Sequence, residues 1–387
     1  MNYTKLLFYL FLQAIFSEGL SIDIRVSLFH PHIIHSVIIS CSAGKYSYST
    51  ATGNFNELKS GQSVFLKVYN NTIWMRGEKE EWIQTIGINF KSTEDQSIIS
   101  IKPVLPSLHR RNYDGNLEVK YSNGYLQLLN ILDLELYLMG VVETESGPVA
   151  PLDFYKVQAI ICRTYAIRNF YKHQEEGFNF CDDVHCQSYK GRHRWNEDVV
   201  IAADATRDLI ITDLDSIPIT AVYHSNSGGE TQSADNIWLN GESCLIPILD
   251  PFSIDQPNAR WERIIPADSW FSYLESKGIT VQEKPDTIAF ESNQRHRMKY
   301  YIIGTDSLEY NRIREDWDLR SAFFSLIYNK GFFIFKGKGY GHGVGLSQEG
   351  AMNMARKGYH FTEILNFYYH NIRIINYSLC IHCLSER

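Results

Sequence analysis

Cys181-Asp-Asp-Val-His185-Cys186 places two thiols and an imidazole within six residues, and His173 lies eight residues upstream. Thiolate and imidazole ligands at this density suit tetrahedral zinc, provided the backbone turns between the adjacent His185 and Cys186. A disulfide through Cys181 or Cys186 is the alternative use of the same thiols. The chain holds seven cysteines, an odd number, so in an exported protein at least one stands outside any intramolecular disulfide. In the tail, Cys380-Ile-His-Cys383 could close on itself or pair with Cys41 or Cys244.

A second stretch, Gly337-Lys-Gly-Tyr-Gly-His-Gly-Val-Gly345, has glycine at every other position. If it is extended, Lys338, Tyr340, His342 and Val344 share one face, and the other face is bare backbone that a strand, a helix or a ligand must approach closely. No start gives G-x-G-x-x-G and no G-x-x-x-x-G-K-[ST] is present, so this is not a nucleotide loop. Ser347 reads as the N-cap of a short helix with Ala351, Met354 and Ala355 on its apolar stripe and Gly358 at its end.

These groups need elements to position them. Strands are expected at Ile22–Phe29, Ser36–Cys41, Lys45–Thr50, Val64–Tyr69, Thr72–Met75 and Ile98–Ile101, with a hairpin at Asn70-Asn71. Pro103, Pro106 and His109-Arg110-Arg111 read as a linker or loop, followed by paired strands with turns at Asp114-Gly115 and Asn123-Gly124. An apolar strand is expected to lead up to Glu145, a half-buried helix to run from Asp153 to about Tyr171, and strands to return over Val199–Thr212 and Ile217–His224. A helix at Ala267–Lys277 and strands at Tyr300–Ile303 and Phe323–Tyr328 complete the reading. The mixed order predicts an α+β architecture with largely antiparallel sheets and a few packed helices, preceded by a small β-rich region.

A chain of 387 residues, 44% apolar and 21% charged, buries a substantial core. Its net charge of -7 without a long basic run argues against nucleic acid as a partner and against tight adhesion to an anionic membrane. Lys5, the apolar run Leu6–Phe16 and the small-x-small Ser17-Glu-Gly19 predict a signal peptide over residues 1–19 and export to the periplasm or cell envelope. No later segment is apolar and long enough for a membrane helix.

Four ordered motifs resemble the stage II sporulation protein D family, which also includes amidase-enhancer proteins. They are Leu134-Glu-Leu-Tyr-Leu-Met-Gly-Val-Val-Glu-Thr-Glu145, Lys156-Val-Gln-Ala-Ile-Ile-Cys-Arg-Thr-Tyr-Ala166, Tyr223-His-Ser-Asn-Ser-Gly-Gly229 and Gly341-His-Gly-Val-Gly-Leu-Ser-Gln348. The resemblance implies a catalytic domain over residues 114–375, after a β-rich region at 20–113 and before a tail at 376–387. It implies a peptidoglycan lytic transglycosylase acting on glycan strands stripped of stem peptides, with Glu145 as the single acid and base. A carboxyl shielded at a strand end, with Glu143 on the same face, would keep its proton near neutral pH.

By the same resemblance Arg163, Tyr165, Ser227, Gly228, Gly229, His342, Ser347 and Gln348 are expected to contact substrate or support the site. Cys181, His185, Cys186 and, as fourth ligand, His173 are expected to hold one structural zinc; no organic cofactor is implied. Ser146 and Glu349 depart from the family pattern, where an apolar residue and an aromatic are common. Two other readings remain open: a peptidoglycan-binding module or enhancer of a cell-wall amidase, and a zinc hydrolase, which lacks an H-E-x-x-H pairing.

Overall fold

The computed structural model describes residues 22–53, 55–77, 81–193, 196–237, 242–281 and 287–379. The expected signal peptide, Cys380 and Cys383 lie outside the described residues. The architecture is α+β, and the described residues group into two compact units: those within 22–149, 158–210 and 375–379, and those within 150–157 and 211–374.

The first unit is built on two sheets. The larger runs edge to edge through Phe180–Cys181, Asp23–Ser27, Tyr125–Asp133, Asn116–Ser122, Gly87–Ser92, Lys45–Thr50 and Phe55–Lys59. The smaller runs through Arg111–Tyr113, Ile98–Leu105, Ser36–Ala43, Ser63–Tyr69, Thr72–Gly77 and Ile83–Thr85. Alternate residues face inward, as Val37, Ile39 and Cys41 do on one sheet and Tyr46, Ile88 and Phe90 on the other, all fully buried. Apart from a parallel pairing of Val26-Ser27 with Phe180-Cys181, the pairings in both sheets are antiparallel.

Several expected features are confirmed. Asn70 and Asn71 take left-handed conformations in the hairpin between Ser63–Tyr69 and Thr72–Gly77, and Asn123-Gly124 closes that between Asn116–Ser122 and Tyr125–Asp133. Others are corrected. Pro103 lies inside a strand that runs on to Leu105, opposite Val37 and next to a register shift that accommodates it. Asp114-Gly115 is not a hairpin turn: Arg111–Tyr113 belongs to the smaller sheet and Asn116–Ser122 to the larger, so these two residues carry the chain between sheets. The larger sheet also joins strands from both sides of residue 113, where the sequence reading places a boundary.

Residues leading to Glu145 form helix α1 (Leu134–Ser146), not a strand. Asp133 caps it by accepting the Glu135 N–H, and Gly147 ends it. Helix α2 (Leu152–Arg168) matches the expected span closely. Val199–Thr212 is not one strand: Asn196 caps helix α3 (Glu197–Ala205), which packs on α1, and the strand is confined to Leu209–Thr212.

In the second unit a three-stranded antiparallel sheet, ordered Arg260–Pro266, Phe332–Lys338, Phe324–Asn329, carries helix α4 (Ala267–Ser276). Trp270 of α4 is fully buried among Tyr301, Phe333 and Phe335. A hairpin of Tyr300–Ile303 with Asp306–Glu309 leads into α5 (Tyr310–Asp316). The last helices are α6 (Gln348–Arg356) and α7 (Phe361–Tyr368). Only Tyr223–His224 of the expected strand Ile217–His224 forms, parallel to Leu346-Ser347.

Candidate functional site

Glu145 stands in the last turn of α1, half-buried, and its Oε1 accepts the backbone N–H of Ser188 at 2.8 Å. The expectation of a second carboxylate on the same face fails with the strand: on a helix, residues two apart do not face each other, so Glu143 points elsewhere. Ser146, next to Glu145, is buried, and its hydroxyl has no hydrogen-bond partner among the described residues.

The sequence explains how Ser188 arrives there. Gly140 lets the chain of residues 189–191 lie directly on α1, because a Cβ at that position would come within 2.2 Å of the Gly191 carbonyl and 2.7 Å of the Tyr189 ring. Tyr137, one turn earlier, stacks on Phe180 with centroids 5.8 Å apart and packs on Tyr189 at 5.0 Å. Asp182 ties the start of the same loop to the sheet by accepting the amides of Phe29 and His30 and the Arg111 guanidinium.

The loop bears the Cys and His residues, and the structure gathers all four. One ligand atom from each of His173, Cys181, His185 and Cys186 lies within 4.8 Å of the others. Cys186 Sγ is 3.3 Å from His173 Nε2 and 3.9 Å from His185 Nδ1, and Cys181 Sγ is 3.7 Å from His185 Nδ1. A tetrahedral ion with Zn–S of about 2.3 Å and Zn–N of about 2.0–2.1 Å requires edges of roughly 3.4–3.8 Å, which these separations approach. Cys181 and Cys186 are free thiols, so the disulfide alternative is not realised. His173 turns its other nitrogen, Nδ1, to the Glu176 carboxylate, the outer-shell arrangement that orients a metal-binding imidazole. The donor set fits zinc.

Arg163 is fully buried in an ion pair with Glu135. Its Nε and Nη2 each meet a carboxylate oxygen of Glu135 at 2.7 Å, and Nη1 donates to the Leu209 carbonyl at 3.0 Å. Tyr165 borders the Cys and His cluster: its ring packs on Phe180 and its hydroxyl accepts from Lys172 at 3.2 Å, which leaves it as a wall of that cluster.

In the second unit the glycine run is not extended. Gly339, Gly341, Gly343 and Gly345 all have φ between +69° and +105°, so the four side chains do not form the expected single face. The close approach is real, and the approaching group is the Ser225–Gly229 loop: Asn226 and Tyr340 exchange both backbone hydrogen bonds, at 3.0 and 2.8 Å. A Cβ on Gly339 would meet the Asn226 carbonyl at 2.5 Å, and one on Gly228 would meet Lys338 at 2.6 Å.

Most expected contact residues here are occupied in holding that crossing. Ser227 is fully buried; its hydroxyl donates to Asp250 and meets the Ser253 hydroxyl, both at 2.7 Å. Ser347, also fully buried, caps α6 at the Gly350 N–H and accepts the Ser227 N–H at 3.2 Å. His342 has both ring nitrogens committed, Nε2 to the Tyr223 carbonyl at 3.0 Å and Nδ1 to the Val344 N–H at 3.1 Å. Burial, with the nearby Arg314 charge, pushes its pKa down to about 4, so the ring is neutral. Ser227, Ser347 and His342 thus hold the crossing, which is the supporting half of the expectation.

Glu349, the departure from the family pattern, clamps the loop by accepting from Asn226 Nδ2 at 2.7 Å and from Asn258 N and Nδ2 at 3.1 and 2.7 Å. Gly228 and Gly229 border a cleft of about 1250 Å³ that Arg260, Lys336 and Lys338 also line. Gln348 opens α6. The Ser188 amide, Gly140 and Glu176 were missed from sequence. Only Glu176 carries a local signal, its spacing of three from His173.

Comparison with known proteins agrees with this layout. A family model described as Stage II sporulation protein matches residues 122–212, the stretch that contains Glu145, Ser188 and the Cys and His cluster. A Stage II sporulation protein D of Bacillus amyloliquefaciens is 28% identical over 260 residues, covering 63% of this chain and 74% of its own. An uncharacterized protein of Brachyspira hyodysenteriae is 27% identical over 279 residues, 70% and 74% of the two chains. A protein named Amidase enhancer from Bacillus subtilis is 25% identical over 294 residues, 62% of this chain and 40% of its own. Residues 122–212 thus match the stage II sporulation protein family, and the chain is similar over most of its length to relatives named Stage II sporulation protein D and Amidase enhancer.

Proposed function

We propose that the chain is an exported lytic transglycosylase that cleaves peptidoglycan glycan strands, peptide-stripped ones in particular, between N-acetylmuramic acid and N-acetylglucosamine. The observation that carries this reading is the placement of Glu145: a half-buried carboxyl held by the Ser188 amide at a helix end, within the family-matched segment. In its protonated form Glu145 gives its proton to the glycosidic oxygen as the bond to the anomeric carbon breaks. The C6 hydroxyl of the same muramic residue attacks that carbon and closes a 1,6-anhydro ring. Glu145 takes the hydroxyl proton and is regenerated, and no water is consumed. An intramolecular nucleophile removes the need for the second carboxylate that hydrolysing glycosidases use.

One zinc ion held by His173, Cys181, His185 and Cys186 would be structural. Its work is to hold the loop that presents Ser188, and no catalytic step passes through it. Among the described residues no helix is long and apolar enough to cross a membrane. Action in the cell envelope or outside the cell follows from the proposed substrate.

The second reading, a non-catalytic enhancer of a cell-wall amidase, is favoured by the relative that bears that name. Product analysis separates the two. Anhydro-ended sugars from the wild type and none from Glu145→Gln support the enzyme; strand binding without product supports the enhancer.

A further inference from the structure

The outer face of the smaller sheet in the first unit carries an arrangement that packing alone does not require. Val64 and Leu66 point inward, so Phe65, Lys67 and Tyr69 point outward; on the neighbouring strand Ile73 and Met75 are fully buried and Trp74 and Arg76 point outward. The register sets Phe65 opposite Arg76 and Lys67 opposite Trp74, so rings and cations alternate across the two strands. Trp82 joins them, with its centroid 6.1 Å from Phe65 and 6.4 Å from Trp74. Lys67 Nζ lies 4.4 Å and Arg76 Cζ 5.0 Å from the Trp82 centroid, and Tyr69, 55% exposed, extends the row beyond Trp74.

The charge of this sheet is equally one-sided. Its six strands carry Lys67, Arg76, Lys102 and Arg111 and not one Asp or Glu, in a chain whose net charge is -7. Arg111 is engaged by Asp182 and Lys102 by the Leu108 carbonyl, whereas neither Lys67 nor Arg76 has a carboxylate partner among the described residues. The connection from Gly77 to Trp82 carries Glu78, Lys79, Glu80 and Glu81, off the strands; of these Glu81 is among the described residues.

We propose that this face binds a carboxylate-bearing glycan strand and that it is a wall-holding surface which does not include Glu145. The C–H face of a pyranose ring is weakly positive and stacks on the negative face of an aromatic ring, while Lys67 and Arg76 supply charge-assisted hydrogen bonds to carboxylates. A lipid surface fits less well: interfacial binding draws on apolar side chains that project into the acyl boundary, and here three of the rings are half-buried and locked edge to face. The choice of glycan rests on the wall-active reading above.

The test is titration calorimetry of the full chain carrying Glu145→Gln, so that strands are not consumed, with peptide-free glycan strands whose lactyl carboxylates are free. Adding Lys67→Glu with Arg76→Glu, or Trp82→Ala, should weaken binding by about tenfold or more, and Trp82→Phe should restore it to within about threefold. The charge reversals lie on the surface and leave the core intact. Unchanged affinity in both variants overturns the proposal, as does binding to phosphatidylglycerol vesicles that depends on Lys67 and Arg76 when no glycan binding is seen. Anhydro product from the wild type with patch-independent binding removes this inference alone. Patch-dependent binding without any anhydro product removes the enzyme reading alone.

Discussion

The Glu145 carboxylate and the Ser188 amide meet at 2.8 Å, and Ser188 stands two residues beyond Cys186. A carboxyl on a helix end is thereby tied to the loop that gathers His173, Cys181, His185 and Cys186, the four residues proposed to hold zinc. Holding that loop and holding the proposed acid are one structural task. Metal content, loop order and activity should therefore move together.

Purified chain should contain one zinc ion, measured by native mass spectrometry or metal analysis. Cys186→Ser and His173→Ala should each lower that content and the melting temperature, because a structural zinc contributes folding free energy directly. Glycan turnover should fall in parallel. A chain that purifies without metal and melts unchanged in chelator would contradict the assignment.

Arg163 is expected to act on stability and not on substrate affinity. Replacing it with Met leaves the Glu135 carboxylate buried without its partner, which should cost about 3–5 kcal/mol by denaturant unfolding. Replacing both residues with apolar ones of similar volume should recover much of the loss. A drop in glycan affinity with unchanged stability would return Arg163 to the substrate.

His342 makes stability depend on pH. Its pKa is about 4 in the folded chain, against about 6.5 in an unfolded one, so between these values the unfolded state binds more protons. The contribution is fully present above about pH 6.5 and is lost as pH falls toward 4. Histidine NMR should show the ring neutral at pH 6, with the proton on Nε2 facing the Tyr223 carbonyl. A ring that titrates near 6.5 would refute this.

Gly339→Ala should destabilise the chain by at least about 2 kcal/mol, since a φ of +76° is costly for alanine and its Cβ would meet the Asn226 carbonyl at 2.5 Å. Gly358→Ala, with nothing within 4 Å of the added atom at a φ of +89°, tests the conformational part alone and should cost less. Equal losses at both sites would mean that the loop crossing contributes nothing.

The strands of the first unit were legible by two signals: rings alternate with small polar residues along Lys45–Thr50, and Ser63–Tyr69 is a short run rich in β-branched and aromatic residues. Helix α1 was not, because Leu134, Tyr137, Leu138, Val141 and Val142 are buried around most of its girth, which erases the one-sided stripe and leaves a run that reads as a strand. Its N-cap, Asp133, was the available local signal. The Glu135–Arg163 pair joins residues far apart in sequence, and the Ser188 contact is made by a backbone amide, so neither leaves a pattern to read. The glycine run announced a close approach correctly, but not the left-handed conformations by which it is made.

The central claim is most directly tested by mass spectrometry of the products formed from peptide-free glycan strands in ¹⁸O-labelled water by the wild type and by Glu145→Gln. Intramolecular attack by the C6 hydroxyl predicts muramic ends lighter by one water and free of ¹⁸O, formed by the wild type and absent with the variant. Reducing ends that carry ¹⁸O, or the same anhydro products from Glu145→Gln, would contradict it.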